Sequence, residues 1–412
     1  MNCYYPSPLL FRALALTICL GAFLGFRAVA SDDFELRHGD RVAFLGDAFF
    51  ERAIRYGHIE TALTARWPER SIRFRNIGWA GDGPNGRARA FFDPVDAGFE
   101  NLKTHVEIAD PSVVFLGYGA MAAFDGEPGL DSFIDQMNAL LDALQESGRR
   151  FVILSPNPRE NLGPPLPDPE RQNRNLKRYT AALKTLAENR GAFFVDLFNT
   201  LEARSPKRDT RAITDNGIHL NDYGYRLAAE RIAQALTAAA ALTRIAVDRV
   251  GNPSESAGAM ATIRKEKDGY SLEIQNERLS LSPLGGDHSQ NLTLSFANLA
   301  RGEYELLYDG EPVANGSAQA WKRGIQLAWE PSNDQAQSLR EAINRKNEHF
   351  FHQWRPQNET YIRGFRKHEQ GQNATDIPKF QPFIEGEEMK IEALKKPQAY
   401  RLVLKRVKGD RG

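Results

Sequence analysis

Thr214-Asp215-Asn216-Gly217-Ile218-His219-Leu220-Asn221-Asp222-Tyr223-Gly224-Tyr225 places one histidine on a turn, just ahead of a stretch with helical spacing from Tyr225 to about Leu236. Gly217 suits the turn, and Asp215 and Asn216 are the two neighbours able to hold an imidazole. Whether that histidine has a partner depends on what the upstream chain brings to the same place.

Upstream, short apolar runs alternate with helical ones. Arg41-Val42-Ala43-Phe44-Leu45 reads as a buried strand closed by Gly46-Asp47. Helical spacing follows, broken at Gly57 and stopped at Pro68. Ser71 to Ile77 alternates again and runs into Asn76-Ile77-Gly78-Trp79-Ala80-Gly81-Asp82, a glycine-rich loop. Phe99 to Ile108 predicts a helix. Ser112-Val113-Val114-Phe115-Leu116 is apolar throughout, as a parallel strand covered on both faces requires. A helix over Asp131 to Gln145, a strand at Phe151 to Leu154, a proline-rich loop (Pro156 to Pro167), a polar helix from about Pro169 to Asn189 and a strand over Ala192 to Leu197 complete the set. Five strands alternating with helices predict an α/β fold, a parallel sheet between two helical layers. Ligands of such sheets lie at the carboxyl ends of the strands. Asp47, the segment from Asn76 to Asp82, Gly117 to Gly119 and Asn157 all fall on that edge.

From about Ile245 the texture changes. Tyr270 to Ile274, Leu292 to Phe296 and Tyr304 to Tyr308 alternate in short pieces, with Asp309-Gly310 and Asn315-Gly316 as expected hairpin turns. These predict a small antiparallel β unit over residues 246–330. A helical tail is expected over residues 331–412, with helices through Leu339, Ile343 and Phe350 and near Pro382 to Leu394.

With 412 residues, the chain is long enough for two or three domains. Its formal charge of zero gives no global pull toward nucleic acid or anionic membrane. Phe11 to Phe26 is apolar, with Arg12 near its start and Ala28-Val29-Ala30 before Ser31. That pattern predicts a secretory signal over residues 1–30 and a secreted or periplasmic protein with no stable anchor after cleavage. A retained anchor is the competing reading, for which the run is short. Both cysteines, Cys3 and Cys19, lie in the signal, leaving the mature chain without thiol chemistry.

Four segments in order, Gly46-Asp47-Ala48, Asn76-Ile77-Gly78-Trp79-Ala80-Gly81, Gly117-Tyr118-Gly119-Ala120-Met121 and Asp215-Asn216-Gly217-Ile218-His219, resemble the SGNH (GDSL-type) hydrolase superfamily over roughly residues 38–240. The resemblance implies a flavodoxin-like three-layer sheet and hydrolysis of ester bonds, such as carbohydrate O-acyl esters. It also implies a nucleophilic serine in the first block, a glycine N–H for the oxyanion in the second, an asparagine donor in the third, and an Asp/His pair in the fourth.

Carried over residue by residue, the roles fall unevenly. The nucleophile position is Ala48, and a methyl group has no lone pair for acyl transfer. Gly78 (or Gly81) retains a backbone donor. The third block's donor is replaced by Ala120 or Met121, a loss that costs about 3 kcal/mol of transition-state stabilisation where it is used. His219 takes the base position. Asn216 stands where the orienting Asp is expected, and Asp215 one residue further back. Three readings stay open: a hydrolase in which His219 activates water or another residue (Asp47, Asp82 or Ser155) moves into the chemistry; a catalytically silent descendant that binds a saccharide or a polymer end; and a structural role in which His219 is a satisfied turn histidine. Asp47 also suits a plain helix N-cap.

Asp82, in its glycine-rich loop, is a candidate ligand contact or a turn residue. Trp354, Arg355 and Asn358 open an aromatic, guanidinium- and amide-rich stretch to Asn373, of the kind that a saccharide site uses. Its bland alternative is a charged packing segment. His349 and His352 are three apart on an expected helix face, too few ligands for a closed metal site. No cofactor or metal motif, phosphate loop or nucleic-acid patch stands out. The expected partner is a small-molecule or saccharide ester.

Overall fold

The computed structural model describes residues 34–407, apart from 92, 146–147, 204–210, 237–242, 282–291 and 363; the expected signal over residues 1–30 lies outside them. The first part of the chain runs β1 (Arg41–Gly46), α1 (Ala48–Ala53), α2 (His58–Arg66), β2 (Arg73–Asn76), α3 (Ala97–Ala109), β3 (Val113–Gly117), α4 (Leu130–Gln145), β4 (Arg150–Leu154), α5 (Glu170–Arg190), β5 (Phe193–Val195), α6 (Leu197–Glu202) and α7 (Asp222–Ala235). The five strands form one parallel sheet in the order β2-β1-β3-β4-β5.

Alternate residues along each strand face opposite layers. Ala43, Leu45, Val114, Leu116 and Ile153 pack against Leu102 and Val106 of α3, Met137 and Leu140 of α4 and Leu183 of α5. Val42, Phe44, Val113, Phe115 and Val152 face the other way, against Leu63 of α2 and Ala228 and Ile232 of α7. This is the three-layer α/β arrangement expected from the alternation, and every residue of β3 is buried because both its faces are covered.

Glycines let α1 settle tightly on the carboxyl edge of the sheet. A Cβ on Gly46 would lie 2.4 Å from the Gly117 carbonyl oxygen, and one on Gly78 would lie 2.5 Å from the Glu51 nitrogen. The close approach aims the start of α1, with Ala48 at its first position, along the crest of β1 and β3.

The later part contains β6 (Arg244–Val247), β7 (Pro253–Ala257), β8 (Ala259–Glu266), β9 (Gly269–Asn276), β10 (Thr293–Phe296), β11 (Glu303–Tyr308), β12 (Glu311–Ser317), α8 (Ala318–Arg323), β13 (Ile325–Gln326), α9 (Pro331–Trp354), α10 (Glu359–Ile362), α11 (Lys367–Gln370), α12 (Gln381–Leu394) and β14 (Tyr400–Arg406). Two sheets, β13-β10-β6-β7 and β12-β11-β14-β9-β8, share one core containing Ile245, Leu294, Leu272, Leu306, Trp321 and Leu404.

Two expectations are corrected here. The tail is not wholly helical: β14 returns from it to pair with β11 and β9 in the middle of a sheet, its Leu402 and Leu404 buried. Asn315-Gly316 is not a turn but lies inside β12, where a Cβ on Gly316 would meet Ile325 at 2.8 Å. Asp309-Gly310 does join β11 to β12, with both residues at positive φ.

The tail is latched to the α/β part by buried polar groups. Lys346 of α9 donates to Glu60 of α2 at 2.7 Å and to the Phe74 carbonyl at 2.9 Å, and Asn347 donates to the same carboxylate at 2.9 Å. Glu330, fully buried ahead of α9, accepts from Tyr400 at 2.6 Å and Asn276 at 3.0 Å, tying the helix to the β unit. Among the described residues, no helix is long and apolar enough to cross a membrane.

Candidate functional site

The turn carrying His219 and the turn after β1 share the carboxyl edge. Arg52, one helical turn beyond Ala48, pairs with Asp215 at 2.8 Å, and Tyr225 of α7 donates to the Phe49 carbonyl at 2.6 Å. The loop after β4 closes against the same turn. Glu160 accepts from the backbone of Ile213 (2.9 Å) and Thr214 (3.0 Å), and its own N–H donates to the Gly217 carbonyl at 2.9 Å. Asn157 donates to the Ile218 carbonyl at 3.2 Å. The turn carrying His219 is thus held by α1 and the loop after β4, and His219 remains partly open to solvent.

Its protonation is set locally. Asn216 Oδ1 accepts the backbone N–H of Ile218 (3.2 Å) and of His219 (3.0 Å), which fixes the amide's orientation. The Asn216 NH2 therefore points at His219 Nδ1, 3.1 Å away. A nitrogen that accepts there cannot also carry a proton, so neutral His219 bears its hydrogen on Nε2. A serine-hydrolase base needs the reverse tautomer, with Nδ1–H toward a carboxylate and a lone pair on Nε2. Asp215 does not supply that carboxylate, because it is engaged with Arg52. Burial, followed by the positive charges of Arg52 and Arg159, depresses the His219 pKa against the opposing charge of Asp215. That direction favours the neutral ring.

Ala48 begins α1. Asp47, directly before it, is 2% exposed and caps the helix, Oδ1 accepting from Phe49 at 3.0 Å. Its other oxygen has no hydrogen-bond partner. Burial pushes this carboxyl up to about 7 against the hydrogen bond from the Phe49 amide, with the charge of Asp82 adding to the rise and the Ala120 amide opposing it.

The oxyanion donor expected at Gly78 is occupied: its N–H is buried and donates to Asn76 Oδ1 at 2.9 Å, while Asn76 Nδ2 holds the Phe50 carbonyl at 2.8 Å. That pairing shapes the loop rather than serving a ligand. Gly81, at φ +80, is exposed with open space around its Cα.

The ligand contacts expected from the sequence fall differently. Asp82 is 1% exposed and bonded to Arg89 at 2.6 Å, so it is an interior ion pair out of a ligand's reach. Arg89, fully buried, also donates to the Ile77 carbonyl at 2.9 Å. Trp354 is 1% exposed, its ring taken up by Trp79 and His105, and presents no face to a sugar. Arg355 is only partly covered; it pairs with Glu51 at 2.8 Å and lies 3.5 Å over Trp79. Asn358 is exposed. His349 and His352 pack against Phe383 and Phe380, and no metal-holding cluster occurs among the described residues.

The sequence reading missed Arg52, Glu160 and Arg159. The only signal for them was their position on carboxyl-edge segments, which says nothing about which charges pair.

Residues 44–227 match the GDSL-like lipase/acylhydrolase family. Among solved structures, BT4096, a gut microbial diltiazem-metabolizing enzyme, aligns over 92% of this chain and 100% of its own, with TM-score 0.69 and 16% identity. The acetyl xylan esterase AlAXEase aligns over 48% of this chain and 99% of its own (TM-score 0.37, 19% identity). Axe2, an acetylxylan esterase from Geobacillus stearothermophilus, aligns over 49% and 96% (TM-score 0.36, 17% identity). No curated protein matches the chain. At 16% identity the likeness to BT4096 shows the fold alone.

Proposed function

Because the α/β part of this chain belongs to the GDSL-like acylhydrolases of the SGNH superfamily, we propose that its carboxyl-edge crevice recognises an ester-bearing ligand, a carbohydrate O-acyl ester or a related one, and holds it without forming an acyl-enzyme. The observation that carries this reading is the Asn216–His219 contact, on a turn tied through Asp215 and Arg52 to the helix that Ala48 begins. With Nε2 protonated and a methyl group at the nucleophile position, the imidazole offers a hydrogen bond to an ester oxygen and has no hydroxyl to deprotonate. The signal-like residues 1–30 support a secreted or periplasmic setting.

The test pairs turnover with binding. Purified mature chain is given 4-nitrophenyl acetate, and binding of the same ester is followed by saturation-transfer NMR. The expected result is release no faster than with His219→Ala, together with binding that weakens about tenfold in that variant, the worth of one hydrogen bond. Turnover abolished by His219→Ala would overturn the reading and restore a working hydrolase.

A second reading has one observation in its favour. The Asp47 carboxyl, with an unpartnered oxygen and a pKa near 7, could serve as base for a water in the place of the missing serine. Turnover that survives His219→Ala but not Asp47→Asn would select it.

A further inference from the structure

Arg159 stands in the loop after β4, and the chain on either side of it is tied to the histidine turn through Asn157 to Ile218 (3.2 Å) and Glu160 to Gly217 (2.9 Å). Its guanidinium carbon lies 4.3 Å from the centre of the Phe124 ring, which is 50% exposed on the loop after β3. Met121, on that same loop, and Ile218, in the histidine turn, are further exposed apolar side chains.

Other arginines on this edge are matched by carboxylates: Arg52 by Asp215, Arg89 by Asp82 and Arg355 by Glu51. Arg159 is not. Among the described residues no carboxylate pairs with it, and its Nε is buried and donates to nothing. The nearest carboxylate in sequence, Glu160, is committed to the backbone of Ile213 and Thr214 and to the Thr214 hydroxyl. Partial burial lowers the guanidinium's affinity for its proton without any compensating charge. A desolvated cation with unused donors is unfavourable until an anion meets it, and a guanidinium fork matches a carboxylate bidentately.

We propose that Arg159 is the anchor for a carboxylate on the ligand, so that the crevice takes an ester-bearing acid with its body laid across Phe124. This rests on the ester-binding reading above and adds the charge of the ligand to it. A uronate carrying an O-acyl group and an acyloxy-substituted aromatic acid share that chemistry.

The test is calorimetric titration of the full mature chain with 4-acetoxybenzoate and, separately, with its neutral methyl ester. The acid is expected to bind at least about tenfold more tightly, with the margin shrinking as salt is raised. Arg159→Gln should bring the two probes to equal affinity, while Arg159→Lys should keep part of the preference. Thermal melting of both variants separates lost charge from lost fold. Equal affinities in the parent chain, or a preference that survives Arg159→Gln, would overturn the assignment and leave ester binding standing. If neither probe binds, the ester-binding reading fails and this inference falls with it.

Discussion

The side-chain amide of Asn216 lies 3.1 Å from Nδ1 of His219, and its oxygen is held by the two backbone N–H groups of Ile218 and His219. The amide cannot rotate to offer its oxygen to the ring without giving up both backbone bonds. Solution 15N NMR of the imidazole at neutral pH should therefore show the Nε2–H tautomer. Asn216→Asp should keep the two backbone bonds, move the proton to Nδ1 and raise the titration midpoint of His219, since a carboxylate stabilises the imidazolium. An Nδ1–H signal in the parent chain would refute the assignment.

Restoring the nucleophile alone should do little. Ala48→Ser puts a hydroxyl at the start of α1, but His219 carries its proton on Nε2, where a serine base needs a lone pair. Ala48→Ser with Asn216→Asp should exceed Ala48→Ser by at least about 10²-fold in aryl acetate turnover, given the roughly 10⁴-fold effect of the wrong tautomer in serine proteases. Equal rates in the single and double variants would show that Asn216 does not govern the ring.

Asp47 should impose a pH dependence on stability. Its ordinary value near 3.8 applies to the unfolded chain, and folding raises it to about 7, so the folded state holds the proton more tightly. The contribution is complete below about pH 4 and is lost as the pH rises through about 7. Asp47→Asn keeps a cap acceptor and cannot ionise. Urea titrations should find it more stable than the parent by roughly 2–4 kcal/mol at pH 8, with the difference closing near pH 4. A difference that is constant across that range would refute the buried-acid account.

The buried latch between α2 and α9 gives a different stability signature. Glu60→Ala strands Lys346, which is 1% exposed, and should cost about 3–5 kcal/mol in urea titration. Glu60→Leu combined with Lys346→Met should recover most of that loss, because the uncompensated charge goes with it. A double variant as unstable as the single one would mean that the pair itself, rather than its desolvation, secures the tail.

Sequence periodicity was a sound guide where burial is two-sided and local. The run from Val113 to Leu116 and the helical spacing of Phe133, Met137, Leu140 and Leu144 located the sheet and a covering helix, because alternation and 3.6-residue spacing map directly onto buried faces. It was a poor guide to β14, whose Leu402 and Leu404 find partners about 100 residues or more away on β11 and β9. A two-residue alternation is too short to announce a central strand when its neighbours are distant in sequence.

The chemical inventory of the site belongs to the sequence: Ala48 directly after Asp47, Asn216 three residues before His219, no cysteine beyond Cys19. Residue identity settles what a side chain can donate, accept or attack. Tertiary structure alone decided that Asp215 is spent on Arg52, that Gly78 gives its N–H to Asn76, that Trp354 and Asp82 are interior, and that Arg159 pairs with no carboxylate among the described residues. Those outcomes depend on which groups distant in the chain lie within 3 Å of one another once water is excluded, and a linear pattern does not encode that competition for partners.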